Sequence, residues 1–295
     1  RRPSTIVCVV GEFKQGKSSL VNALLGHPVC PVDDDLATSA ITLVRFGEQA
    51  GAVVRSKQDG KEVATPIPVT ELNQWVSETG NPGNHKGVER VEVAVPSPFL
   101  KQGLVIVDTP GMGGLGAGHA AATLSFLPFA DGLIFVSDAS AELSAPELEF
   151  LRRAIELCPS VLFAQTKTDL FANWQKILDL NRGHLERNGI NIPVVPVSSS
   201  LRTEALARKD RSLNGLSRVP ELVQRLGNDV VAPAKASAAQ RSVGDARSII
   251  AQVVAGYRAE RAAIDDPAGA GGAMAALEAA KGRIEYLRGP GAKWN

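Results

Sequence analysis

The sequence predicts an α/β fold, a mostly parallel sheet flanked by helices, followed by a partial helical bundle. Three observations carry this. From residue 104 onward, short β-branched runs alternate regularly with helix-period segments, the signature of a parallel sheet covered on both faces. The run STIVCVV at 4–10 ends in glycine and is followed by SSLVNALLG, so a buried strand feeds a helix through a glycine loop. Beyond about residue 219 no strand-like run occurs, and Ala, Arg and Val dominate.

The elements follow in order. The first helix closes at Gly26, a natural C-terminal cap. Residues 40–56 and 88–95 (VERVEVAV) alternate as strands do, the latter half exposed, with VTELNQWVSETG between them reading as a helix and NPGNHKG as a loop. Strand LVIVD precedes a glycine-rich stretch and a helix around AAATLSFL; strand GLIFVSD precedes the helix APELEFLRRAIEL. Strand SVLFAQT leads to the helix FANWQKILDLNRGHLERNG and then to strand PVVPVSS. Residues 219–265 read as helices interrupted near Pro233, PAGAGGA (267–273) as a linker, and MAALEAAKGRIEYLRG as a further amphipathic helix; together they read as part of a bundle, with a helical cap on the same domain as the alternative. The domain boundary is therefore expected at 220, with a helical segment over 221–295.

Bulk composition narrows the function. The 295 residues contain 44% apolar and 21% charged residues, ordinary for a globular protein, and 32 basic residues balance 31 acids. No net field points to nucleic acid. No run approaches the roughly 18 apolar residues that span a bilayer, and neither end resembles a signal peptide. Cys8, Cys30 and Cys158 are too scattered for a disulfide framework or a metal knuckle, and the four histidines lack metal-site companions. The chain begins at Arg1-Arg2-Pro3 without methionine and stops straight after a helical pattern, so it reads as part of a longer protein.

Chemistry enters with Gly11-Glu12-Phe13-Lys14-Gln15-Gly16-Lys17-Ser18, a G-x-x-x-x-G-K-S loop placed between a buried strand and a helix. Its glycines let successive N–H groups and the helix N-terminus, Ser19 included, face phosphates. Lys17 would bridge the β- and γ-phosphates and Ser18 would ligate Mg²⁺. This loop alone does not choose between ATP and GTP. Thr166-Lys167-Thr168-Asp169 does, because the Asp169 carboxylate can accept from guanine N1–H and the 2-amino group, while the Lys167 stem lies across the base. Ser198 and Ser199, with Ser200, occupy the place of the loop that closes over guanine.

Asp108-Thr109-Pro110-Gly111 follows an apolar strand, so Asp108 is expected to hold Mg²⁺ through a water and the Gly111 N–H to meet the γ-phosphate. Between residues 28 and 42, Thr38, or Ser39 beside it, would place a hydroxyl on Mg²⁺, with Thr38 preferred. Asp33, Asp34 and Asp35 read as a solvated tip, and His119 as a helix-start residue rather than a site group. Met112 stands where small GTPases place a water-orienting glutamine, and a thioether cannot do that work.

With these residues in place, the sequence resembles the dynamin superfamily of large GTPases, in particular bacterial dynamin-like proteins, with a composition reminiscent of mycobacterial members. The resemblance rests on GEFKQGKSSLVNALLG, DTPGM, TKTD, FADGLIFVSDASAELSAPELEFL and the long insertion between Thr38 and Asp108. It covers roughly residues 4–220 and extends weakly over ALEAAKGRIEYLRGPGAKW. It implies a G domain with a helical neck, GTP/GDP and Mg²⁺ as cofactors, and hydrolysis of GTP to GDP and phosphate. It also implies pairing of G domains, with a copy of itself or a paralogue, across the nucleotide face, which stiffens a switch whose backbone holds the water. A monovalent cation held by the P-loop assists catalysis in the family.

This chain departs from the pattern: Lys14 stands where many members carry a small polar residue that helps hold that cation, and Phe13 where eukaryotic members carry a catalytic glutamine. Either the Lys14 ammonium replaces the cation or Lys14 is an exposed lysine that attracts nucleotide. Lys17, Thr38, Lys14 and Gly111 are the expected catalytic groups. Membrane lipid is expected to bind through regions outside this chain, placing the protein in the cytoplasm on the inner face of the cell membrane. The alternatives are a regulatory GTPase acting at a ribosome or RNA, and a scaffold that binds GTP but scarcely hydrolyses it.

Overall fold

The computed structural model describes residues 4–32, 40–58, 60–77, 79–110, 124 and 126–265. The described residues form a nine-stranded sheet and the helices around it. The strands are β1 (Thr5–Gly11), β2 (Ile41–Phe46), β3 (Gly51–Gln58), β4 (Lys61–Ile67), β5 (Val88–Val95), β6 (Leu104–Asp108), β7 (Gly132–Asp138), β8 (Val161–Thr166) and β9 (Val194–Pro196). The helices are α1 (Lys17–Leu25), α2 (Asn73–Val76), α3 (Ala145–Leu157), α4 (Trp174–Arg187), α5 (Ser199–Arg208), α6 (Arg211–Leu216), α7 (Val219–Arg225) and α8 (Ala232–Asp265), the last preceded by a π-helical stretch, Leu226–Val231.

The sheet order is β4-β3-β5-β2-β6-β1-β7-β8-β9. From β6 through β9 every neighbour is parallel, as the β-α alternation predicts. β2 joins this half antiparallel to β6 yet runs parallel to β5, and β3 and β4 extend the sheet as an antiparallel ribbon. The sheet is thus mostly parallel, with its antiparallel pairs confined to the half that holds the insertion.

Strand alternation sends side chains into two layers. Val7 and Val9 of β1 join Leu20, Leu24 and Ile106 on the α1 side, whereas Cys8 and Val10 join Phe135, Leu151 and Phe163 on the α3 side. Phe163 meets Phe135 edge-on at 5.5 Å between ring centres. Apart from half-buried Ile6, β1 is buried on both sides, which is why Ile6 to Val10 are all apolar.

Three sequence expectations need correction. The strand run at 40–56 is two strands, β2 and β3, and a further strand, β4, follows in KEVATPI. β4 is an edge strand whose exposed face is Glu62, Ala64 and Pro66 and whose other face buries only Ile67 fully, so its apolar signal is thin. The expected helix in VTELNQWVSETG shrinks to a 3₁₀ turn at Val69–Glu71 and the four-residue α2. Side chains capture its backbone: the Ser77 hydroxyl donates to the Asn73 carbonyl at 2.6 Å, and Asn81 Nδ2 donates to the Trp75 carbonyl at 2.9 Å. The interruption expected near Pro233 is not a break but a π-helical stretch, Leu226–Val231, just before it, and helix runs on at both ends of that stretch. The helix expected around AAATLSFL lies largely outside the described residues, as do the linker 267–273 and the amphipathic helix after it.

Two compact units result, Arg1–Lys235 and Ala236–Asn295. Composition changes near residue 220, but packing continues further: Val219, Leu222, Leu226 and Val230 are buried in the same core as α1. The described part of the second unit is helical.

Candidate nucleotide-binding site

The P-loop begins where β1 leaves the sheet centre. A Cβ at Gly11 would overlap the Val136 carbonyl oxygen of the neighbouring β7, so only glycine fits. Lys14 (φ 63°) and Gly16 (φ 88°) then take left-handed backbone, turning the chain into α1. Gly16 caps α1 with no side-chain hydrogen bond, which leaves the first-turn amides facing outward as an anion cradle. Thr166 Oγ1 at the end of β8 donates to the Gln15 carbonyl at 2.6 Å, and the Asp138 N–H donates to Gln15 Oε1, so two strands hold the loop from one side.

Lys17 is buried, and its ammonium donates to the Glu12 carbonyl at 2.7 Å, curling over the loop. Burial pushes its pKa down, against the opposing pull of the Asp108 and Glu12 carboxylates. Glu12 itself is pushed up by burial and by the Glu147 charge, with Lys17 opposing.

Ser18 Oγ donates to Asp108 Oδ2 at 2.7 Å, so the two expected magnesium residues meet. Asp108 is only 1% exposed, and its Oδ1 has no hydrogen-bond partner among the described residues. Burial raises the Asp108 pKa, while Ser18, Lys17 and the nearby Cys30 thiol work against that. A buried carboxylate oxygen without a donor is costly unless a cation completes it. Ser18 and Asp108 therefore fit Mg²⁺, and the amide cradle with Lys17 fits a polyphosphate. Thr109 Oγ1 donates to the Val9 carbonyl at 2.8 Å, pinning the start of the next loop to β1.

The base side is built by β8 and β9. Lys167 adopts φ 56° and pairs with Asp138 Oδ2 at 2.8 Å. Asp169, two residues on, is exposed. The Val197 N–H donates to the Gln165 carbonyl at 2.8 Å, which brings Ser198 and Ser199 alongside the T-K-T-D turn. Ser198 is buried and spends its hydroxyl as the α5 cap, accepting from Leu201 N at 3.0 Å, so its side chain is committed to the fold. Ser199 Oγ is buried without a partner among the described residues. Ser19 and Ser199 line one open groove of about 790 Å³ between α1 and α5. Lys14 is exposed at the loop apex, its ammonium 5.4 Å from the Phe13 ring centre.

Gly11, Gln15, Gly16, Lys17, Ser18 and Asp108 thus gather at one end of the sheet, and Lys167, Asp169, Ser198 and Ser199 at the adjoining turns. Thr38, Ser39, Gly111, Met112, His119 and the three aspartates Asp33, Asp34 and Asp35 lie outside the described residues. Sequence reading missed Asp138, Gln165 and Asn181. Gln165 and Asn181 are fully buried: Gln165 Nε2 donates to the Trp174 carbonyl at 2.8 Å, and Asn181 Nδ2 donates to Gln165 Oε1 at 3.1 Å. Asn181 Oδ1 accepts from Leu143 N at 2.8 Å, tying the loop after β7 to the base-side strand. Asp138 was visible as the polar end of GLIFVSD next to the P-loop strand; the two amides carry no comparable signal.

Comparison with known proteins speaks to the family and the fold. A model of the dynamin family matches residues 7–159, just over half of the chain. The chain belongs to the dynamin family. Members of this family are GTPases, and the chain has the fold of a dynamin-type G domain. It is 39% identical over 267 residues to the isoniazid-induced protein IniA of Mycobacterium tuberculosis, covering 90% of this chain and 42% of IniA. It is 28% identical over 159 residues to a bacterial dynamin-like protein of Nostoc punctiforme, covering 50% of this chain and 22% of that protein. The chain therefore spans less than half the length of these dynamin relatives. Its fold matches a chain of an oligomerised bacterial dynamin pair, a structure described as providing a mechanism for long-range sensing and tethering of membranes. That match has a TM-score of 0.68 at 18% identity over 98% of this chain and 46% of the other. Among the described residues no helix is long and apolar enough to cross a membrane.

Proposed function

We propose that this chain is the G domain and adjoining helical segment of a GTPase that hydrolyses GTP to GDP and phosphate and couples pairing of G domains to membrane remodelling. The observation that carries the hydrolytic reading is the meeting of Ser18 and Asp108, with a buried carboxylate oxygen left for a cation, directly beside the Lys17 ammonium. Magnesium bound there would draw negative charge from the phosphates during cleavage. Lys17 releases the Glu12 carbonyl and turns to the β- and γ-phosphates. The Gly11–Ser18 amides orient the chain of phosphates, while Asp169 and the Lys167 stem select guanine. Thr38, with Ser39 as its neighbour, contributes a hydroxyl to the metal, and the Gly111 N–H meets the γ-phosphate.

Met112 offers no hydrogen bond to water, so the water must be held by backbone groups that become rigid when two nucleotide faces, from two copies or from a paralogue, meet. Lys14, exposed at the loop apex, places its ammonium at the developing charge in the role a monovalent cation fills elsewhere in the family. Lipid contacts belong to segments outside this chain, and attachment is peripheral, at the inner face of the cell membrane.

The test is GTP turnover per molecule against protein concentration, in sodium and in potassium. Turnover per molecule should climb with concentration and plateau, equally in both salts, and Lys14→Ala should lose the rate. A flat profile rejects the pairing mechanism, and strict potassium dependence rejects the role given to Lys14. Adenine nucleotides bound as tightly as guanine nucleotides would reject the guanine reading.

A further inference from the structure

Asp138 ends β7 at the register position opposite Thr166, one residue before Lys167. Its carboxylate is fixed from both sides. Oδ1 accepts from the Ser140 N–H at 2.9 Å and from the Ser140 hydroxyl, and Oδ2 accepts from Lys167 Nζ at 2.8 Å. The Asp138 side chain is only 9% exposed and that of Lys167 is 29% exposed, so solvent screens the pair weakly. Lys167 sits in left-handed backbone, a conformation an L-residue adopts only when its surroundings hold it there. The lysine stem lies along the P-loop: a Cβ built on Gly16 would be 4.0 Å from Lys167 Cε. A lysine whose head is left to solvent samples many rotamers, and each contact its stem makes must first overcome that entropy.

We propose that Asp138 is a positioning residue for guanine-nucleotide recognition, its carboxylate anchoring the Lys167 ammonium beside the P-loop so that the lysine stem is a fixed wall against which the base lies. The inference rests on the guanine-nucleotide reading of the site. Asp138 touches no base itself. It acts through Lys167, and its own N–H on Gln15 ties the same strand end to the phosphate loop. Burial alone would push its carboxyl up, yet the Lys167 and Ser140 hydrogen bonds outweigh this and hold it below the ordinary carboxylate range. The strand end is thus built to keep the anion.

The test is a double-mutant cycle read by fluorescence titration with mant-GDP and Mg²⁺, with mant-ADP as the base control. Asp138→Ala and Lys167→Ala should each weaken mant-GDP binding about tenfold, the size expected for one charge-assisted contact. Asp138→Ala placed on Lys167→Ala should cost nothing further, because its only route to the base has gone. Asp138→Asn keeps the side-chain volume and an acceptor for Ser140, so it covers the case in which the alanine variant does not fold; it should lose the same tenfold. Losses that multiply in the double variant would assign Asp138 a merely structural role and overturn the inference alone. Wild-type protein that takes up mant-ADP as well as mant-GDP would instead overturn the guanine reading, and this inference with it.

Discussion

Lys17 and Asp108 sit 91 positions apart in the chain yet share one buried corner, and each has its proton affinity moved by burial in the direction that favours its neutral form. Phosphates and a metal cation, on the function proposed above, would supply the missing opposite charges, and the corner would then suit those ligands better than being empty. Lys17→Ala should therefore cut GTP turnover by at least about a hundredfold while leaving the melting temperature nearly unchanged, as a phosphate-release assay beside a thermal melt will report. Asp138 gives a pH signature. Its folded-state pKa lies below the ordinary value of 3.8, so the unfolded chain takes up the proton first as pH falls. The stability it contributes is complete above that ordinary value and disappears as pH falls through the folded one. The stability gap between wild type and Asp138→Asn, measured by urea unfolding, should be constant from about pH 7 to about pH 5 and narrow toward about pH 3. The strand–loop–helix setting of Gly11–Ser18 was legible because a G-x-x-x-x-G-K-S spacing between a buried strand and a helix is itself a sequence pattern. Asp138 was legible only as the polar end of its strand; its pairing with Lys167 was not, because no spacing rule links it to a partner just past the end of the next strand.

At the scale of elements, the sequence reading succeeded where one period dominated. β1, β6, β7 and β8 are largely buried on both faces and written in apolar residues, and α3 was legible in the helix-period segment APELEFLRRAIEL; its reciprocal Ser144–Glu147 cap emerged only in the structure. It failed in the insertion, where β4 lies at the sheet edge and α2 is cut short by asparagine and serine side chains. The relay from Gln165 through Asn181 to Leu143 joins β8, α4 and the loop after β7 with hydrogen bonds that all lie in the interior. Asn181→Leu keeps the volume but strands Gln165 Oε1 and the Leu143 N–H. We expect a loss of about 2–3 kcal/mol in urea unfolding, accompanied by weaker guanine-nucleotide binding because the T-K-T-D turn begins one residue after Gln165.

At the scale of the molecule, the stretch from α7 through the π-helical turn finishes the G domain. A Cβ on Gly132, at the start of β7, would collide with the Val230 side chain, and Ser160 Oγ donates to the Asp229 carbonyl at 2.9 Å. A chain ended at residue 220, where composition changes, should expose the surfaces that Leu222, Leu226 and Val230 cover and precipitate or melt without cooperativity; one ended at 235 should stay soluble and melt in one step, as scanning calorimetry will distinguish. Composition could not reveal this, because a helix that caps a core and one that leaves it share the same alphabet. The three thiols carry a last consequence. Cys8, Cys30 and Cys158 are all buried and free, one against α1 beside the metal corner and two in the opposite layer. Alkylating reagents can reach them only when the protein opens, so the modification rate is a clock for that opening. Occupancy by Mg²⁺ and GDP should slow the clock most at Cys30, turning an ordinary peptide-mapping experiment into a map of which half of the domain breathes first.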